Sequence, residues 1–283
     1  FKLREILPNN PFELIVFSLI FNIPHIMTSY ISYFDKEYFS FYKKKLIYGI
    51  AGITIISYLL VNLHYEIAAI ILIFYTMYHV LMQQMGIATV MMGGINIYYK
   101  IWRYIAILIA TMLYIFTFFV NNVSNQIKII VDTIILPILI LIFIIVFFLT
   151  LTVSKKRIGS FYHYSNFLLV LSCCLFYYLN YSFFVILLPR VVHDLSAFVF
   201  YSVHDTNRIR DKPKSNLILS IFNKMKIPAY ILSPLIGILL AKYLHPMYYH
   251  SLFLIMVVSI THYYIEGFMW KNGTIHRKYI SFK

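Results

Sequence analysis

The sequence predicts an all-α fold, a polytopic helical membrane bundle of about 8–9 transmembrane helices, on three observations. Hydrophobic residues make up 61% of the 283 and charged residues only 12%. The mean hydropathy is +0.79. The apolar residues are gathered in runs near the roughly 20 residues that a helix needs to cross a hydrocarbon core. No stretch between the runs is long enough to fold by itself, so residues 1–283 are expected to form a single integral membrane domain.

Taken in order, the runs predict helices at 11–34, 46–63, 66–93, 101–121, 127–153, 162–188, 191–206, 228–244 and 247–270. The first contains Pro24, which loosens the backbone beside His25. The chain opens on Phe1 with no basic, apolar and small-residue cleavage pattern, so this first run is expected to serve as the membrane signal. The stretch at 191–206 is short for a crossing and carries two His-Asp pairs, which suggests a buried or re-entrant helix. Leu217–Met225 reads as a short interfacial helix. The two cysteines, Cys173 and Cys174, are adjacent on one helix, point to different faces and form neither a disulfide framework nor a zinc site.

Charge orients the layout independently. With the first helix running from outside to inside, 19 of the 24 Lys and Arg residues fall on one side, among them Lys43 to Lys45, Lys155 to Arg157 and Arg277 to Lys278. That bias marks the cytoplasmic face, placing the amino terminus outside and the carboxyl terminus inside, as in a bacterial inner membrane. The net charge of +14 is spread over several loops, which suits anionic lipid and argues against nucleic acid as a partner. There is no Gly-rich phosphate loop and no internal repeat of the kind that marks many transporters.

Histidines inside these runs carry the functional signal, because an imidazole in hydrocarbon must be hydrogen-bonded, paired or metal-bound. His25 follows Pro24 in the first helix, and His79 lies near the middle of the third with Gln83 one turn beyond it. His193-Asp194 and His204-Asp205 are eleven residues apart. That spacing puts both pairs on nearly one helix face but about 16 Å apart, too far for one ion to bind both. His204, with Tyr201, Asp205 and Arg208, is the expected ligand on grounds of depth, and His193 is held in reserve. His262 and Glu266 stand one turn apart, a spacing that supplies two ligands or one ligand and its orienting carboxylate. His64, His163, His245, His250 and His276 are expected at hydrated edges, and Asp35 and Glu37 among solvated basic residues.

Pro24-His25 near the start, His79, a histidine at 193 or 204 and His262 with a nearby carboxylate resemble the Brp/Blh-type membrane beta-carotene dioxygenases. The resemblance implies histidine-bound non-haem iron and cleavage of a carotenoid with O₂. The sequence differs from that family at Ile26, Thr28-Ser29 and Gln83-Gln84, which points to a related metal scaffold with a different substrate. The closely spaced histidine motifs of di-iron desaturases do not occur.

The reading is therefore a mononuclear iron oxygenase acting on an apolar lipid, isoprenoid or carotenoid-like molecule. His25, His79, His204 and His262 are the expected ligands, Glu266 and Asp205 ligands or their partners, and Tyr201 and Gln83 orienting groups. A transporter using the buried His, Asp and Glu as a proton relay, a bis-histidine haem protein and a non-catalytic membrane protein are the competing classes.

Overall fold

A computed structural model describes residues 6–8, 11–14, 17, 20–21, 23–119, 123–151, 157–224, 228–248 and 251–280. The described chain is helical, with no β-strand among these residues. Among the described residues ten α-helices follow one another: α1 Ile23–Ile31, α2 Lys36–Leu63, α3 Tyr65–Met92, α4 Ile97–Phe118, α5 Asn125–Leu151, α6 Arg157–Tyr178, α7 Ser182–Asp211, α8 Leu217–Lys224, α9 Ala229–Tyr248 and α10 Leu252–Met269. Seven of them, α2 to α7 and α10, are long and apolar enough to cross a membrane. The basic residues Lys155 and Lys156, and residues 15, 16, 18, 19 and 22 of the expected first helix, lie outside the described residues.

Two boundaries differ from expectation, and the difference decides how the histidines are read. The boundary expected between residues 188 and 191 does not occur: Pro189 lies inside α7, which runs unbroken for 30 residues. The turn comes earlier, at Asn180, whose φ of 57° is left-handed. Asparagine tolerates that region, and the residue ends α6 at Tyr178. The supposedly short seventh element is thus a full-length helix. It carries both His-Asp pairs.

The chain packs as two compact units, residues 1–13 with 73–193 and residues 14–72 with 194–283. In the first unit α4 packs on α5 and α6. Trp102 stacks on Phe143 and Phe147 on Phe167, filling a core of large aromatic side chains. Residues 131–135 of α5 widen into a π-turn, and Tyr177 donates to the Asp132 carboxylate there at 2.8 Å. That bond gives the acid a hydrogen-bond donor beside the widened turn.

In the second unit α9 packs on α1, and α10 on α2 and α1. A Cβ at Gly237 would come within 2.5 Å of the Pro24 carbonyl oxygen, so only glycine lets α9 lie this close to the turn that carries His25. Asp35 caps α2 by accepting from the amides of Glu37 and Tyr38. Its side chain is also fully buried and gripped by Arg208, whose Nε and Nη2 donate to it at 2.8 and 3.0 Å. Solvated pairing, the expectation for this acid, is replaced by a buried bidentate ion pair.

Candidate metal centre

In the first unit the rings of His79 and His193 meet edge to face, with centroids 4.9 Å apart. Gln84, not Gln83, ties these helices: its amide donates to the Val192 carbonyl at 3.3 Å. Asn166 of α6 donates in turn to the Gln84 carbonyl. Gln83 was the expected partner of His79, yet its carbonyl oxygen is buried with no hydrogen-bond partner among the described residues.

In the second unit His25 and His262 turn their Nε2 atoms toward each other at 3.1 Å. The opposite nitrogens fix what those atoms carry. Ser29 donates its one hydroxyl proton to the Ile26 carbonyl at 2.6 Å, so toward His262 Nδ1, 2.9 Å away, it can only accept. The proton of His262 therefore sits on Nδ1, and Nε2 presents a lone pair. His25 Nδ1 lies 2.9 Å from the Asp194 carboxylate, an ion-pair distance without the in-line geometry of a hydrogen bond. A carboxylate at that nitrogen draws the His25 proton to it as well. The 3.1 Å approach of the two Nε2 atoms suits a proton shared between the rings or a cation held by both.

His25, His79, His193 and His262 are all buried, and each offers a ring nitrogen of the kind that could hold a metal ion. The first unit thus carries one buried histidine pair, His79 with His193, and the second unit another, His25 with His262.

Glu266 stands one step back from the second pair. Its Oε2 is 4.0 Å from His262 Nε2, and Oε1 accepts from the buried phenol of Tyr201 at 2.5 Å. Tyr201 thus reaches the histidines through Glu266.

The two pairs on α7 are placed differently from expectation: His193, held in reserve, lies against His79, and His204, the expected ligand, is engaged elsewhere. Both His204 nitrogens are already engaged, Nδ1 by Asp205 at 2.9 Å and Nε2 by the Tyr38 phenol at 2.9 Å. Neither lone pair nor space is left for an ion, and Asp205 is committed to its own neighbour. The depth argument failed because it assumed a short helix.

Two histidines placed at hydrated edges are buried instead. His163 sits in a cage of Tyr99, Trp102 and Phe147 and bonds to Thr150. His276 stacks on Tyr38 at 3.7 Å and on His204 at 5.1 Å. Burial, with the positive neighbours His204 and Arg208, pushes its pKa well below the usual histidine value.

Comparison with protein-family models, with curated proteins and with solved structures finds no match for this chain.

Proposed function

We propose that the protein is a membrane-embedded oxygenase built on a single histidine-ligated ion, with non-haem iron as the metal and a long apolar lipid, isoprenoid or carotenoid-like molecule as substrate. The observation that carries the reading is the 3.1 Å approach of the His25 and His262 Nε2 atoms in the second unit, with a second buried histidine pair, His79 and His193, in the first. Imidazole suits iron, zinc and copper alike, so iron rests on the resemblance to the membrane carotenoid dioxygenases. Iron bound there would supply activation of O₂ beside an apolar molecule dissolved in the bilayer.

The protein's own residues do the rest. Ser29 lies 2.9 Å from His262 Nδ1 and Asp194 2.9 Å from His25 Nδ1, so each ring has a partner at Nδ1 and turns Nε2 toward the other ring. The Tyr201 hydroxyl holds Glu266 in place, leaving a carboxylate 4.0 Å from His262 as a nearby proton acceptor. We place the protein in a bacterial cytoplasmic membrane with its amino terminus outside, on the strength of the charge bias.

A second reading has an observation of its own. Tyr201, Glu266, His262, His25 and Asp194 form a polar run through buried surroundings, which would also suit a proton relay in a transporter.

Metal analysis separates the two. The purified protein, reconstituted anaerobically with Fe(II), is expected to hold about one iron per chain. In a carotenoid-accumulating bacterial host it is expected to bleach the pigment with formation of carbonyl products. Protein that retains no metal after reconstitution but carries protons across liposomes would replace the oxygenase with the relay. One ion without pigment loss would keep the centre and exclude carotenoids as substrate.

A further inference from the structure

Tyr38, His204 and Asp205 are all buried in the second unit, take no part in the histidine pairs and form a chain of their own. The Tyr38 hydroxyl lies 2.9 Å from His204 Nε2, and His204 Nδ1 lies 2.9 Å from the Asp205 carboxylate. A carboxylate accepts, so the imidazole proton sits on Nδ1 and Nε2 takes its bond from the phenol. The order phenol, imidazole, carboxylate does more than satisfy polar groups in a helix bundle. It gives the phenolic proton a base to move to, and gives the imidazolium so formed a counter-charge in buried surroundings.

A series of rings leads to this phenol. Tyr38 stacks on His276 with centroids 3.7 Å apart, and Trp270 contacts both His276 and His204, at 5.8 and 5.7 Å. Tyr201 meets Trp270 at 5.3 Å and donates to Glu266, whose other oxygen is 4.0 Å from His262 Nε2. Tyrosine and tryptophan are among the side chains from which a strong one-electron oxidant draws electrons, and these contacts join His262 to Tyr38. The Arg208 guanidinium, 4.5 Å over the Tyr38 ring, would by itself oppose loss of an electron. Its charge is met by Asp35 and Glu37, and a phenol that gives up its proton with the electron does not become a cation.

We propose that Tyr38 is a redox-active tyrosine whose oxidation is coupled to proton transfer onto His204. One electron passes from the phenol to a one-electron metal oxidant, which is reduced by one. The O–H bond breaks, an N–H bond forms at His204 Nε2, and a neutral phenoxyl radical remains beside an imidazolium. Re-reduction returns the electron and the proton together. For the natural oxidant, an oxidised metal ion at His25 and His262, the inference rests on the oxygenase reading; the chemistry of Tyr38 does not.

Lys36 is exposed in the first turn of α2 and Cys173 and Cys174 are buried, so a ruthenium polypyridyl can be attached selectively to Lys36→Cys. In full-length, metal-free protein in detergent, a flash with a cobalt(III) electron acceptor makes the label a one-electron oxidant of its neighbours. The expected result is a narrow phenoxyl absorption that rises more slowly in deuterium oxide than in water. Tyr38→Phe, which keeps the ring on His276, is expected to abolish this isotope-sensitive phase. Tyr33→Phe is expected to leave it, because the Tyr33 phenol donates to the Met269 sulfur, a poor base. His204→Phe is expected to slow it about tenfold, by loss of one charge-assisted hydrogen bond. Should His204→Phe not fold, the wild-type isotope effect and Tyr38→Phe decide alone. The inference is overturned if the wild type shows no isotope-sensitive phenoxyl, if the phase survives in Tyr38→Phe, or if folded His204→Phe keeps the wild-type rate. With no metal in the experiment, such a result leaves the oxygenase reading standing, and a protein that takes up no iron can still pass.

Discussion

Helix α7 carries the dipeptide His-Asp twice, eleven residues apart, and the two copies do opposite things. At His204-Asp205 the acid bonds its own neighbour, the remaining ring nitrogen meets Tyr38, and the pair is closed. At His193-Asp194 the acid reaches across to His25 of α1, while His193 turns to His79 of α3. The same two residues on the same helix thus make a saturated hydrogen-bonded pair in one place and separate contacts to two other histidines in the other. What separates them is the supply of partners: a phenol at the first, an imidazole for each residue at the second.

The largest expected effect breaks this comparison directly. His193→Ala should reduce the metal content of reconstituted protein to background, whereas His204→Ala should leave it near that of the wild type. Elemental analysis of both variants decides it. Loss of metal in His204→Ala with retention in His193→Ala would reverse the roles assigned to the two pairs.

One turn beyond His204 the environment becomes ionic, and the next effect is on stability. Arg208 is buried against Asp35, so Arg208→Ala strands a buried carboxylate and should cost about 3–5 kcal/mol in thermal or denaturant unfolding. Burial raises the pKa of Asp35, but hydrogen bonds from Arg208 and Ser215 outweigh it and hold the carboxyl below its ordinary 3.8. The contribution of this pair is therefore complete above that value and is lost only as pH falls through the lower folded one. Unchanged stability in Arg208→Ala would mean that Glu37 and Tyr279, not Asp35, set the position of this residue.

Ser29→Ala sharpens the comparison from the side of the metal group. It removes the acceptor that holds the His262 proton on Nδ1, and so should lower metal affinity about 10- to 100-fold without emptying the site. Titration with Fe(II) or Zn(II) against a competing chelator measures it. An affinity equal to the wild type would show that the tautomer of His262 is set by something other than Ser29.

The class of fold was legible because it depends on composition and run length, which no tertiary detail alters: the apolar runs around residues 46–63, 66–93 and 127–153 are helices of α2, α3 and α5. His25 and His262 were legible for a related reason, since buried imidazoles in lipid need partners and these two find each other. The bounds of α7 were not legible. The apolar runs put a boundary at 189–190, whereas here the helix runs through Pro189 and Asn180 supplies the turn, shifting every estimate of depth along this helix. Ser29 was invisible for another reason. A hydroxyl one turn past a histidine is ordinary in any helix, and its role depends on α10 coming alongside, which no local pattern encodes. Asp35 and His276 were misread because their burial is made by residues far away in the chain, Arg208 and Tyr38.

The smallest expected effect belongs to His276, packed beside the closed pair. Its ring lies against Tyr38 and His204, with Tyr33, Tyr42 and Trp270 around it, and both ring nitrogens are buried without hydrogen-bond partners among the described residues. A proton added there would sit in a desolvated place near His204 and Arg208, so the folded protein keeps this ring neutral below its ordinary 6.5. The unfolded chain takes up the proton near that ordinary value while the folded one does not. The stabilising contribution is thus complete above about pH 6.5 and declines by roughly 1.4 kcal/mol per pH unit below it. Other buried histidines add slopes of their own, so the measurement is a difference between wild type and His276→Phe, which keeps a ring of similar breadth on Tyr38 and cannot titrate. Between pH 6.5 and 5 the variant should lose less stability than the wild type, while above pH 7 the two should follow parallel curves. Equal slopes in the acid range would mean that His276 is hydrated in solution, and the stacked pair of rings on Tyr38 would have to be redrawn.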